Sequence, residues 1–323
     1  MMNGVLRAFF AVLFCAWTVF EAHAQSWPTK SVRFIIPFPP GGPTDIMGRM
    51  AADILSKAYG QQFVADNRGG AGGNIGSEMC AKSAPDGYTV CMMTAAQGIS
   101  PGIYRKLPFD PVGDFAHVTL MATLPSMLTT HPSLPVKTVS DIIALAKSKP
   151  GELSYASTGN GSSPHMLMEL FKYLSKTNMV HIPYKGQAAA VIDQISGQVQ
   201  LAFNTAIGVM PHVQARRLKP IAISTTERFP PMPDLPTIAE GGLKDFSGSS
   251  WQGVVFPRGT PQEIVTKVHA TLAKELTSPA GRDALLKRGG IASGNSPGEF
   301  AAFVKSEIDK WSRVAKAAGI HVD

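Results

Sequence analysis

The chain has 323 residues, 44% of them hydrophobic and 16% charged, an ordinary globular composition that can fill the cores of two medium-sized domains. Its net charge of +7 favours anionic partners by long-range steering. The longest cationic cluster, Arg216-Arg217-Leu218-Lys219, has no interleaved aromatics, which excludes a nucleic-acid partner, and three cysteines exclude a disulfide framework or a four-cysteine metal site.

The first segment in chain order reads as an export leader. Arg7 precedes the apolar run Ala8 to Phe20, and Ala22-His23-Ala24 places small residues where a signal peptidase reads. Residues 1–24 are therefore expected to be a signal peptide, with cleavage after Ala24 into the periplasm. The apolar run is too short to span a bilayer, and Cys15 sits in a poor context for lipid attachment. The mature chain keeps Cys80 and Cys91, for which a single disulfide is open to an exported protein.

Val32 to Ile36 reads as a strand that feeds the glycine loop Pro37-Phe38-Pro39-Pro40-Gly41-Gly42-Pro43-Thr44-Asp45. A helix follows, with Met47, Ala51 and Leu55 on one row and Ile46, Met50 and Ile54 on the next, stopping near Gly60. Next come a short strand, Phe63-Val64-Ala65, a second glycine turn over 67–74 opening a helix, and a strand from Tyr88 to Met93 that ends at Thr94. The same order returns about a hundred residues later. Leu153 to Ser157 leads into Thr158-Gly159-Asn160-Gly161-Ser162-Ser163-Pro164-His165, then a helix striped by Met166, Leu167, Leu170, Phe171 and Leu174. Met179 to Ile182 is a strand, Pro183-Tyr184-Lys185-Gly186 opens another helix, and Gln198 to Phe203 is a strand ending at Asn204. The apolar run Val118 to Leu128, Leu218 to Ser224, the proline-rich loop through Pro236, and Trp251 to Phe256 are candidate crossings between domains. Two helices form the tail, one following Pro261 and one lined by Phe300, Val304, Ile308, Trp311 and Ala315.

Alternating strands and helices predict an α/β fold with parallel sheets, in which ligands sit beyond the carboxyl ends of the strands. That rule directs both glycine loops, Thr94 and Asn204 at one site. Each loop opens a helix, where free N–H groups and the positive end of the dipole receive anions. The candidate ligand-binding residues are Phe38, Pro40, Gly41, Gly42, Thr44, Asp45, Thr94 and Ala95 on one lip. Thr158, Gly159, Asn160, Gly161, Ser162, Ser163, His165 and Asn204 form the other. Ser162, Ser163 and Thr44 serve equally well as helix caps, and Asp45 reads as a cap or as a partner for a ligand ammonium. Catalytic signals are poor. The final glycine of a G-x-S-x-G elbow is replaced by His165, no HExxH spacing occurs, and neither loop is a P-loop or a dinucleotide fingerprint. No cofactor, metal or catalytic residue is expected.

The motifs in order resemble the Bug family of periplasmic solute receptors, the substrate-binding components of tripartite tricarboxylate transporters. They are Pro37-Phe38-Pro39-Pro40-Gly41-Gly42 with Thr44-Asp45 and Arg49; Asn67-Arg68 with Gly70 to Asn74; Ala84-Pro85-Asp86-Gly87-Tyr88; Tyr104 to Pro111; Tyr155-Ala156-Ser157 with Gly159, Gly161-Ser162 and His165; Ile182 to Gly186; and Leu235-Pro236-Thr237. The resemblance covers essentially the whole mature chain. It implies a periplasmic binding protein type II-like fold, with residues 25–124 and 250–323 as one α/β domain and 125–249 as the other. It further implies a monomer that closes on a small carboxylate, partly through bridging waters, and serves integral membrane transporter subunits or a sensor. Relatives usually carry Phe-Asp where this chain has Phe203-Asn204, and often glycine at positions 43 and 216. A lost charge at Asn204 favours a non-amino mono- or dicarboxylate, aromatic acids included, over glutamate or aspartate. An enzyme acting on a small organic acid is the competing class.

Overall fold

The computed structural model describes residues 27–322, so the expected leader and Cys15 lie outside the described residues. The first stretch runs β1 (Val32–Ile36), α1 (Pro43–Tyr59), β2 (Phe63–Asn67), a 3-10 turn (Ala71–Gly73), α2 (Asn74–Ala81), β3 (Thr89–Thr94), α3 (Ala95–Ile103) and β4 (Phe115–Leu124). The chain then builds β5 (Ser126–Thr130), α4 (Val139–Ser148), β6 (Ser154–Ser157), α5 (Ser163–Ser175), β7 (Val180–Pro183), α6 (Gln187–Ile195), β8 (Leu201–Thr205), α7 (Ala206–Gln214) and β9 (Lys219–Ile223). It ends with β10 (Ser250–Pro257), α8 (Gln262–Thr277), α9 (Pro279–Arg288), β11 (Ile291–Ala292) and α10 (Pro297–Ala318).

Two sheets result, ordered β11-β4-β10-β3-β1-β2 and β7-β6-β8-β5-β9. In the first, β1 pairs in parallel with β2 and β3; in the second, β6 pairs in parallel with β7 and β8. Each sheet also takes one antiparallel strand delivered from the other half. β10 returns to lie between β3 and β4, and β5 leaves the first sheet to lie between β8 and β9. The written repeat is therefore a repeat of topology, and the expected α/β architecture with crossing strands is the one observed.

Local physics explains the elements. β1 is apolar on both faces, with Val32, Phe34, Ile35 and Ile36 buried, because helices cover both sides of its parallel sheet. α1 turns Met47, Ala51 and Leu55 inward and stops at Gly60, whose left-handed φ of 66° lets its N–H reach the Ser56 carbonyl. Besides α4, two helices escaped the sequence reading, α3 and α7, both directly following a third strand. Each carries an internal glycine and proline, Gly98 and Pro101 in one, Gly208 and Pro211 in the other, which blur the helical pattern. The tail holds three helices rather than two. The extra one, α9, has little apolar stripe and buries only Leu285.

α10 serves both halves. Its early residues Phe300 and Val304 pack with Trp251 beneath the first sheet, while Trp311 and Ala315 join Leu128, Phe171 and Phe203 beneath the second. Between them Glu307 accepts hydrogen bonds at one oxygen from both indoles, Trp251 Nε1 at 3.1 Å and Trp311 Nε1 at 3.0 Å. Cys80 and Cys91, both buried, are joined as a disulfide that ties the end of α2 to β3, with a Cα–Cα distance of 6.4 Å.

Candidate functional site

The carboxyl ends of β1, β3, β6, β7 and β8 all deliver their loops to one place between the sheets, as open α/β sheets do. There the walls enclose a cavity of about 200 Å³, below the usual range for drug-sized ligands and suited to a small molecule. Of the expected residues, Phe38, Pro40, Gly42, Thr44, Thr94, Thr158, Ser162 and Ser163 line it. So do residues that sequence reasoning left out: Ala96, Lys185, Gly186, Gln187, Ala188, Ala189, Thr205, Ser250 and Gln252.

Five helices begin on this cavity: α1 at Gly42, α3 at Thr94, α5 at Ser162, α6 at Gly186 and α7 at Thr205. Among them only α3 has its first N–H groups satisfied by a side-chain cap, Thr94 Oγ1 accepting from Ala96 N at 3.2 Å. The other four have no side-chain cap, and their cap residues line the cavity, where unpaired first-turn N–H groups and the positive end of a helix dipole favour an anion. Among the described residues lining it there is no aspartate or glutamate, and Lys185 is the one cation. Three buried side-chain atoms on its walls also lack a hydrogen-bond partner: Ser162 Oγ, Ser163 Oγ and Gln252 Oε1. Buried polar atoms are rarely left so, and these are well placed to hold a polar ligand.

The wall is built to keep its shape. Gln187 Oε1 accepts from Thr205 Oγ1 at 2.6 Å and from Thr205 N at 3.3 Å, fastening the start of α6 to the end of β8. On the opposite wall Gln252 Nε2 donates to Thr44 Oγ1 at 3.2 Å. The halves meet around the cavity. A Cβ on Gly186 would lie 3.7 Å from Pro39, and one on Gly41 3.9 Å from Ala188.

The other expected residues take different places. Gly159 and Asn160 line an adjoining outer chamber of about 720 Å³ with Gly69 to Gly73, Tyr104 and Tyr184. Gly41 and Ala95 are not among the lining residues. Nor is Gly161, whose added Cβ would meet Ile103 at 2.6 Å. Asp45 does not face the ligand space: its carboxylate accepts from Gly41 N at 3.0 Å, Asn67 Nδ2 at 3.0 Å and Arg49 Nε at 2.9 Å. Burial opposes its charge, but these bonds outweigh it and hold the carboxyl below the ordinary range. Asp45 is thus a local brace within the glycine loop, neither the helix cap nor the ammonium partner of the sequence reading.

Asn204 requires a correction. Its amide is buried behind the wall and donates to Thr129 Oγ1 at 2.9 Å and Gln194 Oε1 at 2.8 Å, while the next residue, Thr205, reaches the cavity. Side chains alternate across a strand, and the sequence reading took the wrong parity at the end of β8. His165 also lies behind its loop. Gly161 N donates to its Nδ1 at 3.2 Å, and its ring stacks on His181 with centroids 4.2 Å apart. Burial pushes both imidazoles down, His181 to about 3 with His165 adding to the effect, so both rings are neutral. No base is bonded to Ser162 or Ser163.

Comparison with known proteins agrees with this geometry. Residues 47–320 match the model of the tripartite tricarboxylate transporter family receptor. Protein BugT of Bordetella pertussis is 33% identical over 298 residues, covering 92% of this chain and 91% of its own. The solved structure of R. palustris Rpa4515 with adipate superposes with a TM-score of 0.89 at 40% identity, covering 91% of this chain and 99% of that one. MatC (Rpa3494) from Rhodopseudomonas palustris with bound malate gives 0.85 at 30% identity, over 89% of this chain and 99% of that one. With a family match over most of its length and a solved relative of the same fold at 40% identity, this chain belongs to the tripartite tricarboxylate transporter receptor family.

Proposed function

We propose that this chain is a periplasmic receptor that holds a small carboxylate between its halves, residues 25–124 with 250–323 on one side and 125–249 on the other, and closes on it. One observation carries the reading: five helix starts, Lys185 and two unpartnered serine hydroxyls converge on a cavity without an acidic lining residue. An anion is stabilised there, and a ligand ammonium has no carboxylate to meet. The preference for a non-amino acid therefore stands on the lining rather than on Asn204. Adipate and malate in relatives support the ligand class. No helix among the described residues is long and apolar enough to cross a membrane, in keeping with a receptor that hands its ligand to a separate membrane transporter or sensor.

The enzyme alternative is disfavoured by the unactivated serines, since nucleophilic catalysis needs a bonded base. Calorimetry on refolded, ligand-free protein tests the proposal with adipate, malate and glutamate. Stoichiometric binding of a non-amino acid without product formation is expected; turnover of the acid, or tight binding of glutamate alone, overturns it. Lys185→Met should weaken binding roughly 5- to 20-fold and flatten its salt dependence, as loss of a steering cation does.

A further inference from the structure

The serine loop is shaped from behind by one ring. Gly161 N donates to His165 Nδ1 at 3.2 Å, closing the loop onto the first turn of its own helix, α5. Gly161 has little freedom of its own: its φ is 74°, and an added Cβ would lie 2.6 Å from Ile103 and 3.3 Å from the Tyr104 ring. The next two residues, Ser162 and Ser163, line the cavity, so the direction of their unpartnered hydroxyls follows from how Gly161 is held. An imidazole accepts at Nδ1 only while that nitrogen carries no proton. Protonation sets an N–H against the Gly161 N–H and puts a charge into a buried stack, where His181 of β7 covers the ring face with centroids 4.2 Å apart. The neighbouring elements give that charge little relief. On α5, Glu169 is already bonded to Tyr155 of β6 and to Lys172, the latter at 2.6 Å. The end of α3 brings the Tyr104 phenol, and β8 has no charged side chain. α10 packs with α5 through Trp311 and Ala315, and its carboxylate Glu307 is held by two indoles. Burial accordingly holds His165 below the ordinary histidine range, with Glu169 pulling it up and Lys172 down.

We propose that His165 is a positioning residue for ligand binding: its unprotonated Nδ1 holds Gly161, and through it Ser162 and Ser163, in the form that receives the anion, and protonation of this ring releases the ligand on acidification. The proposal rests on the carboxylate-receptor reading and deepens it by naming a control of that site. His165 does not line the cavity; it acts through Gly161. Because binding needs the neutral ring, the liganded form takes up a proton less readily than the free form, whose loop is at liberty to turn from the ring. Affinity is therefore full above about pH 7 and falls as pH drops through the ordinary histidine value near 6.5, by up to about tenfold per pH unit. Asparagine separates the acceptor from the titration, since its Oδ1 stands as many bonds from Cα as the histidine Nδ1 does and accepts at every pH. Phenylalanine keeps the ring and the stack but accepts nothing.

The test is calorimetry with malate and with adipate, between about pH 7.5 and pH 5, on wild type, His165→Asn and His165→Phe. Each variant is compared with wild type at the same pH, so that titration of the acid itself cancels. Thermal melts across the range establish that each protein is folded. At pH 7.5 His165→Phe should weaken binding roughly tenfold, as a buried N–H left without its acceptor does, and His165→Asn should recover most of that loss. Between pH 7.5 and pH 5 the affinity of His165→Asn relative to wild type should rise at least about fivefold. A ratio that stays constant over this range overturns the proposal, even where the phenylalanine variant fails to fold. So does a His165→Phe that binds like wild type, or a His165→Asn as weak as His165→Phe at pH 7.5, and in these cases the receptor reading survives. If wild type binds neither acid at pH 7.5, the receptor reading falls and this proposal with it.

Discussion

Behind the serine loop stands a column of rings, Tyr155 on His181 at 4.9 Å and His181 on His165 at 4.2 Å. Its polar edges hold the loop at both ends: His165 Nδ1 takes the Gly161 N–H, and His181 Nε2 shares a 2.6 Å hydrogen bond with Ser157 Oγ, which in turn accepts from Gly159 N. The bond from Gly161 N–H needs an unprotonated Nδ1 on His165. A third buried histidine, His117, packs edge-on against Phe300 and is pushed down to about 4 by burial. In the unfolded chain each histidine titrates near 6.5, so between that value and the folded values the unfolded state binds more protons. Stability is therefore complete above about pH 7 and is lost as pH falls through this window. By pH 5 the loss should reach about 2 kcal/mol for His117, and less for His181, which is closer to solvent. Thermal unfolding at pH 7 and pH 5 measures it. A His117→Phe variant with an unchanged slope would contradict the assignment.

Among the elements, α2 and β3 are held together by the Cys80–Cys91 disulfide across 11 residues of chain. Closing so short a loop stabilises by about 3 kcal/mol in the chain-entropy estimate. Cys80→Ala with Cys91→Ala should thus lower the denaturant midpoint and raise the m-value, because the released unfolded chain exposes more surface, with ligand affinity retained because neither cysteine lines the cavity. A midpoint equal to wild type would show the bond to be energetically silent. Arg216 illustrates a second element-level feature. It follows α7 with a left-handed φ of 56°, a conformation that costs a side-chain-bearing residue and that glycine adopts freely.

At the scale of the molecule, the glycine turn of the first half lies against the serine loop of the second, a contact that the proposed closing movement would make. Gly72, at φ 64°, has no room for a side chain: a Cβ would lie 2.5 Å from the Asn160 carbonyl oxygen. That contact exists only when the halves are together, so a methyl there penalises the closed form relative to the open one. Gly72→Ala should weaken ligand binding about tenfold or more, equivalent to about 1.4 kcal/mol of lost closure energy, with scattering showing a more open molecule in the presence of ligand. Unaltered affinity would mean that binding does not require this contact. The two crossings near Pro125 and residue 249, with α10 clamped through Glu307, leave such a movement few routes, which favours rotation about these links.

Much of this molecule was legible in the chain. β1 with its glycine loop and β6 with its serine loop are local signals, because a strand, a positive-φ turn and a helix start each depend on neighbouring residues. Sequence alone therefore determined the α/β class, the doubled order of elements, the family and two of the loops that line the cavity. Only the tertiary structure decided which atoms face the ligand space. Gln252 and Thr44 are bonded across 208 positions, Thr205 rather than Asn204 reaches the cavity, and Cys80 meets Cys91. Such outcomes depend on strand register, on which face of a strand turns inward, and on how two halves approach. These are long-range packing terms to which no local run of residues is sensitive.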